Sequence, residues 1–146
     1  MRFGLFVPQG WRLDLVGIDP AAQWETMKGV AQHADAGPWE SIWVYDHFHT
    51  VPKPMDEATH EAWTLMSAFG AATERVRLGQ MCTCIGYRNP VYLAKVAATC
   101  DVVSGGRVEM GIGAGRCCCL PARAPVAASP SACRAWPNSP RAASCG

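Results

Sequence analysis

The chain has 146 residues, an apolar share of 49%, a charged share of 17% and a formal charge of +1. That length can bury one respectable core, and the balance suits a globular protein with no basic surface for nucleic acid or acidic membranes. No stretch approaches the ~18 apolar residues that would span a bilayer. Pro8-Gln9-Gly10 also ends the first apolar run before a signal-peptide core can form, so a cytoplasmic protein is expected.

The first strand is predicted over Phe3 to Pro8, an apolar run of the kind a covered parallel sheet uses. Asp19-Pro20 then opens a helix, with Asp as N-cap and Pro where its missing N–H costs nothing. Trp24, Met27, Ala31 and Ala34 form its apolar stripe, and Gly37-Pro38 stops it. Ser41 to Asp46 is the second strand, and Thr59 is the predicted cap of a helix carrying Ala62, Leu65, Met66 and Phe69. Val76 to Cys82 is the third strand. Asn89-Pro90 repeats the cap-and-proline start for a helix striped by Leu93, Val96, Ala97 and Cys100. Ser104-Gly105-Gly106 ends it, and Val108 to Ile112 is the fourth strand.

The order βαβαβαβ requires a parallel sheet with right-handed crossovers. Its repeat of about 35 residues, taken eight times, matches the length of a (β/α)8 barrel, and an open doubly wound sheet fits the same order.

The pattern stops at Gly115. All 12 acidic residues precede it, with nine of the 13 basic ones, a formal charge of −3 for that stretch. Residues 116–146 keep only Arg116, Arg123, Arg134 and Arg141, and 28 of these 31 positions are Ala, Pro, Cys, Arg, Ser, Trp or Gly. Those types are all written with codons rich in G and C, and no period of 3.6 or 2.0 survives. A disordered tail is one reading. The expectation taken here is a translation out of frame, so that residues 1–115 form the domain and 116–146 a non-native tail. Cys117-Cys118-Cys119 lacks the spacing of zinc ligands, and no metal site is expected. Cys82, Cys84 and Cys100 are expected to be reduced and mostly buried.

In parallel α/β enzymes chemistry gathers at the carboxyl ends of the strands. Those ends hold Pro8-Gln9-Gly10, Asp46-His47 with His49, Cys82-Thr83-Cys84, and Gly111 to Gly115. A histidine there can trade a proton near neutral pH, although such a residue also serves simply to pack a loop. The glycine run lacks the third-glycine spacing of a dinucleotide site and is read more generally, as backbone a flat ligand can approach. Arg88, beside an N-cap Asn, reads as a solvated cation that can meet an anionic ligand.

The run Leu78-Gly79-Gln80-Met81-Cys82-Thr83-Cys84-Ile85-Gly86-Tyr87-Arg88-Asn89-Pro90 resembles the luciferase-like monooxygenase family. Asp101-Val102-Val103-Ser104-Gly105-Gly106-Arg107, Gly111 to Gly115, Phe3-Gly4-Leu5-Phe6-Val7-Pro8 and Asp46-His47 are similar too, covering nearly all of residues 1–115. The resemblance implies an α/β fold, the N-terminal portion (about three and a half βα units) of a (β/α)8 TIM barrel. It implies an oxidoreductase or monooxygenase acting on a small organic substrate through a reduced cofactor. The 8-hydroxy-5-deazaflavin coenzyme (F-420 type) is the cofactor expected, with FMN as the alternative. Carried over, Asp46 and His47 would be catalytic, flanking the cofactor ring. Met81, Cys82 and Thr83 would back it where the family can hold a non-proline cis peptide, and Gly113, Ala114 and Gly115 would edge it. Relatives continue past this point with further βα units, so the chain is expected to be truncated and inactive alone. The alternative is a half-barrel module that self-associates through its open sheet edges. A Rossmann-like nucleotide site would need glycines where Pro8-Gln9-Gly10 stands.

Overall fold

The computed structural model describes residues 1–114; Gly115 and the predicted tail 116–146 lie outside the described residues. Strand β1 (Gly4–Phe6), helix α1 (Pro20–Ala36), β2 (Ser41–Val44), α2 (Ala62–Ala72) and β3 (Arg77–Gln80) follow in turn. A two-residue strand β4 (Thr83–Cys84) and a 3-10 turn (Ile85–Tyr87) lead into α3 (Pro90–Val103), then β5 (Val108–Glu109) and β6 (Ile112–Gly113).

The main sheet has the order β1-β2-β3-β5, and every pair in it is parallel. Leu5 sits beside Ile42, Ile42 beside Leu78, and Leu78 beside Val108. Strands that add in chain order, with no reversal, distinguish a barrel segment from a doubly wound sheet. The helices agree. Val7, Ile42, Val44 and Leu78 share one core with Met27, Ala31 and Ala34 of α1, Leu65, Met66 and Phe69 of α2, and Leu93 and Cys100 of α3. All three helices therefore cover the same face.

The other face is open. Trp43 lies across its neighbours so closely that a Cβ on Gly4 would meet the indole at 2.6 Å, and one on Gly79 at 2.4 Å. Both glycines are needed to let a flat indole cross two strands. Phe3, Phe6, Trp43 and Met81 line a groove of about 410 Å³ along this face, with the Arg77–Glu109 ion pair on its floor.

Local signals place two helices correctly. Asp19 accepts from the Ala21 N–H at 2.9 Å, and Asn89 accepts from Val91 and Tyr92, each before a proline. The cap of α2 differs from expectation: Glu61, not Thr59, accepts from the Thr64 N–H at 2.7 Å. The third strand stops at Gln80 rather than Cys82, and the Met81–Cys82 peptide that follows is cis. The fourth strand is divided in two at Met110-Gly111. A Cβ on Gly111 would lie 2.2 Å from the Gln80 carbonyl oxygen, so only glycine lets the chain shift across to pair with β4. Cys82, expected to be buried, is exposed; Cys84 is half-buried, Cys100 is buried, and all three are free thiols.

Two polar residues fasten the helices to the sheet. Arg107 donates to the carbonyls of Gly70, Thr73, Val76 and Ser104 at 2.6–2.8 Å and to the Thr73 hydroxyl at 2.9 Å. Asp35 accepts from the N–H groups of Glu74, Arg75 and Val76 at 2.8–2.9 Å. Arg107→Met would leave those carbonyls without a donor and should lower unfolding free energy by about 3 kcal/mol in urea titrations. Burial opposes the charge on Asp35, but its three N–H donors and the nearby Arg75 hold its pKa below the ordinary value. A depressed carboxylate pKa contributes stability at neutral pH that is lost as pH falls through the carboxylate range. Asp35→Asn should therefore lose stability at pH ~7 and flatten the decline toward pH ~3 in the same titrations.

Candidate active site

The carboxyl ends of the strands bring four segments together. After β1, Gln9 is fully buried and acts as a hub. Its side-chain amide donates to the carbonyls of Tyr45 and His60, each at 2.7 Å, and its amide oxygen accepts from the Tyr45 N–H at 2.8 Å. This spreads one side chain over the end of β2 and the approach to α2. Gly10 follows with a φ of +95°, and a Cβ there would lie 1.9 Å from the Ala58 carbonyl oxygen. The Asp14 carboxylate accepts from the Gly10 N–H at 2.6 Å and fixes that turn.

Just past the end of β2, Asp46 and His47 make separate sets of contacts. The Asp46 carboxylate is 2% exposed and faces Arg88, which donates to both of its oxygens at 2.6 and 2.8 Å. Asp46 also accepts from the Cys84 N–H at 2.9 Å, and Arg88 reaches on to Glu61 at 2.6 Å. Asp46 was expected to flank the reacting ring; its oxygens are instead committed to holding the 81–88 loop. Arg88, expected in solvent, is 11% exposed and lies inside the network. The two carboxylates raise its pKa above the ordinary arginine value despite its burial.

His47 lies half-buried against Trp11, with ring centres 4.4 Å apart and planes 6° from parallel. Burial, then His49, push its pKa below the ordinary histidine value; Asp46 opposes this and Arg12 adds to it. Burial and His49 thus favour the neutral form of the imidazole. Phe6 stacks on Tyr45 at 4.7 Å, and Tyr45 tilts against Trp11 at 4.3 Å, so an aromatic cluster joins the first two strand ends.

The remaining predicted residues fall into three groups. Met81 and Cys82 are exposed at the cis peptide, with Met81 in the open groove. Thr83 is fully buried: its N–H donates to the Gly111 carbonyl at 2.8 Å and its hydroxyl donates to Gln80, so the residue presents no surface to a ligand. Gly113 pairs with Cys84, and Ala114 follows it, exposed; Gly115 lies outside the described residues. Among the described residues no group of His, Cys, Asp or Glu could hold a metal ion, and no helix is long and apolar enough to cross a membrane. Sequence reasoning gave Gln9, Trp11 and Glu61 no role. The positive-φ glycine after Gln9 was the available signal.

A part-barrel whose loops converge at the strand carboxyl ends defines a (β/α)8-type enzyme scaffold. Residues 1–116 match the family described as luciferase-like monooxygenase, and the chain belongs to that family. Over 94 residues it is 36% identical to a phthiodiolone/phenolphthiodiolone dimycocerosates ketoreductase of Mycobacterium tuberculosis, covering 52% of this chain and 24% of that one. Over 79 residues it is 38% identical to the F420-dependent glucose-6-phosphate dehydrogenase of Amycolatopsis mediterranei, covering 52% of this chain and 23% of that one. The fold is similar to the oxygenating constituent of 3,6-diketocamphane monooxygenase from Pseudomonas putida, solved with FMN. That match has a TM-score of 0.64 at 20% identity and covers 80% of this chain and 30% of the other. The chain thus spans about a quarter of the length of the curated relatives it matches.

Arg88→Met would strand a buried carboxylate and should cost about 3–5 kcal/mol of stability. Glu61→Gln removes a charge whose side chain is 41% exposed, and should cost less than about 1 kcal/mol. Urea midpoints of the two variants, measured side by side, check the ordering.

Proposed function

We propose that residues 1–114 are the ring-binding part of an oxidoreductase that uses the 8-hydroxy-5-deazaflavin coenzyme on a small organic substrate. The observation that carries this reading is His47, held past the carboxyl end of β2 in an aromatic cluster with Trp11 and Tyr45, where Tyr45 stacks on Phe6 of the open groove. Phe6 and Met81 remain 45% and 49% exposed in that groove, which suits a flat aromatic ring. The exposed residues Met81 and Cys82 would lie against such a ring, with half-buried Gly113 at its edge, and the likeness to an F420-dependent dehydrogenase supports the choice of coenzyme. FMN is the second reading, supported by the FMN-bound neighbour of similar fold. When bound, either group supplies the hydride or oxygen chemistry itself.

The chain's own residues have simpler tasks. His47 takes or returns a proton at its ring nitrogen. Asp46 and Arg88 hold the 81–88 loop in place, and Gln9 and Asp14 hold the loop that carries Trp11. Free thiols suit a reducing compartment, and the cytoplasm is the proposed location. Barrels of this class grip phosphate with loops after strands 7 and 8. The proposal therefore includes that the 146-residue chain alone is truncated and inactive, its tail a product of the wrong frame.

Fluorescence titration of the purified chain with the deazaflavin coenzyme and with FMN tests this. Weak, sub-stoichiometric binding without turnover is expected; micromolar retention of either would contradict the inactive chain. The bare edges β1 and β5 favour one alternative, a half-barrel that pairs with a second copy. A monodisperse, cooperatively melting dimer in sedimentation and thermal unfolding would support that alternative instead.

A further inference from the structure

We propose that Trp11 is a positioning residue for His47: its indole lies flat on the imidazole, 4.4 Å between centres and 6° from parallel, and fixes the plane in which that ring works. The inference rests on the proposed proton-handling role of His47. It gives a positioning task to a residue of the loop that follows the first strand.

Four observations carry it. Trp11 is only 6% exposed, so the indole is a fixed wall rather than a mobile cover. Its loop is rigid at both ends: the Asp14 carboxylate accepts from the Gln9 and Gly10 N–H groups, and the Trp11 carbonyl accepts from the Val51 N–H at 2.9 Å. That last bond ties the Trp11 loop to the segment that follows His47, so the two rings are held from both sides of their contact. Tyr45 completes a corner, its ring 4.3 Å from Trp11 and 5.9 Å from His47, tilted against both by about 50°. Stacking engages the face of the imidazole, so it restrains the plane without consuming an in-plane nitrogen. Restraint of this kind removes rotational freedom that would otherwise be lost during reaction.

The charged and titratable groups around His47 are Arg12 on the same loop as Trp11, and Asp46 and His49 on its own. Arg12 places its guanidinium carbon 4.7 Å from the centre of the Trp11 ring. One indole thus meets both the Arg12 guanidinium and the His47 imidazole.

Proton NMR of the full chain tests the inference without requiring turnover. Nuclear Overhauser contacts between Trp11 indole and His47 imidazole protons are expected, with the His47 protons displaced upfield by the indole ring current. In Trp11→Leu the His47 protons should lose their upfield displacement and their contacts to the Tyr45 ring; in Trp11→Phe, which restores an aromatic face, those contacts should stay. Absent Overhauser contacts in the parent chain would overturn the proposal, whatever the variants do. So would a Trp11→Leu chain with unchanged far-ultraviolet circular dichroism that keeps every His47–Tyr45 contact of the parent. If Trp11→Leu does not fold, the parent contacts and the Trp11→Phe contacts decide. Intact contacts with no response to added deazaflavin coenzyme would refute the oxidoreductase reading and leave the stack standing.

Discussion

The bidentate pair between Asp46 and Arg88 is the contact on which the rest of the site depends. It joins the end of β2 to the loop after β3, residues 42 apart in sequence, and Glu61 extends it to the start of α2. The pair lies almost out of water, where a carboxylate needs both a cation and further donors to be tolerated. The Cys84 N–H supplies a third bond and, through β4, aligns the chain with β6. One buried carboxylate thus sets where the Met81–Cys82 peptide stands and where Gly113 can reach.

With that loop fixed, the contacts of two adjacent residues diverge. Asp46 is held by Arg88 and the Cys84 N–H, while His47 packs in the aromatic cluster with Trp11 and Tyr45. The buried Gln9 performs a similar service for the first strand, bonding the Tyr45 backbone just past β2. The open groove along Trp43 runs up to this point from the middle of the sheet. Among the described residues β1 and β5 form the edges of the main sheet, where a barrel would add further strands.

Much of the fold was legible because its signals are local. Asp19-Pro20 and Asn89-Pro90 start helices through bonds reaching two or three residues, and Met27, Ala31 and Ala34 mark a buried stripe by spacing alone. The barrel segment became distinct from an open sheet only when strand order and the single helical face were in hand, since both depend on partners far along the chain. The same limit hid Arg88, whose partners lie in other segments. Thr59 looked the better cap by residue type, yet Glu61 reaches the Thr64 N–H and Arg88 together. The third strand ended early at a backbone turn no side-chain pattern announces. For the site, the strand-end rule singles out Asp46-His47 as candidates, and their separate contacts are visible only in the tertiary structure.

The central claim is that the carboxyl-end face of residues 1–114 is a surface for the cofactor ring. The most direct measurement is an amide-resolved NMR map of the full chain during addition of the deazaflavin coenzyme at high concentration. The account predicts that shifts gather at Phe6, Trp43, His47, Met81, Cys82 and Gly113, growing together as coenzyme is added. Shifts confined to the outer surface between α2 and α3, around Thr64 and Tyr92, or none at any concentration, would contradict it.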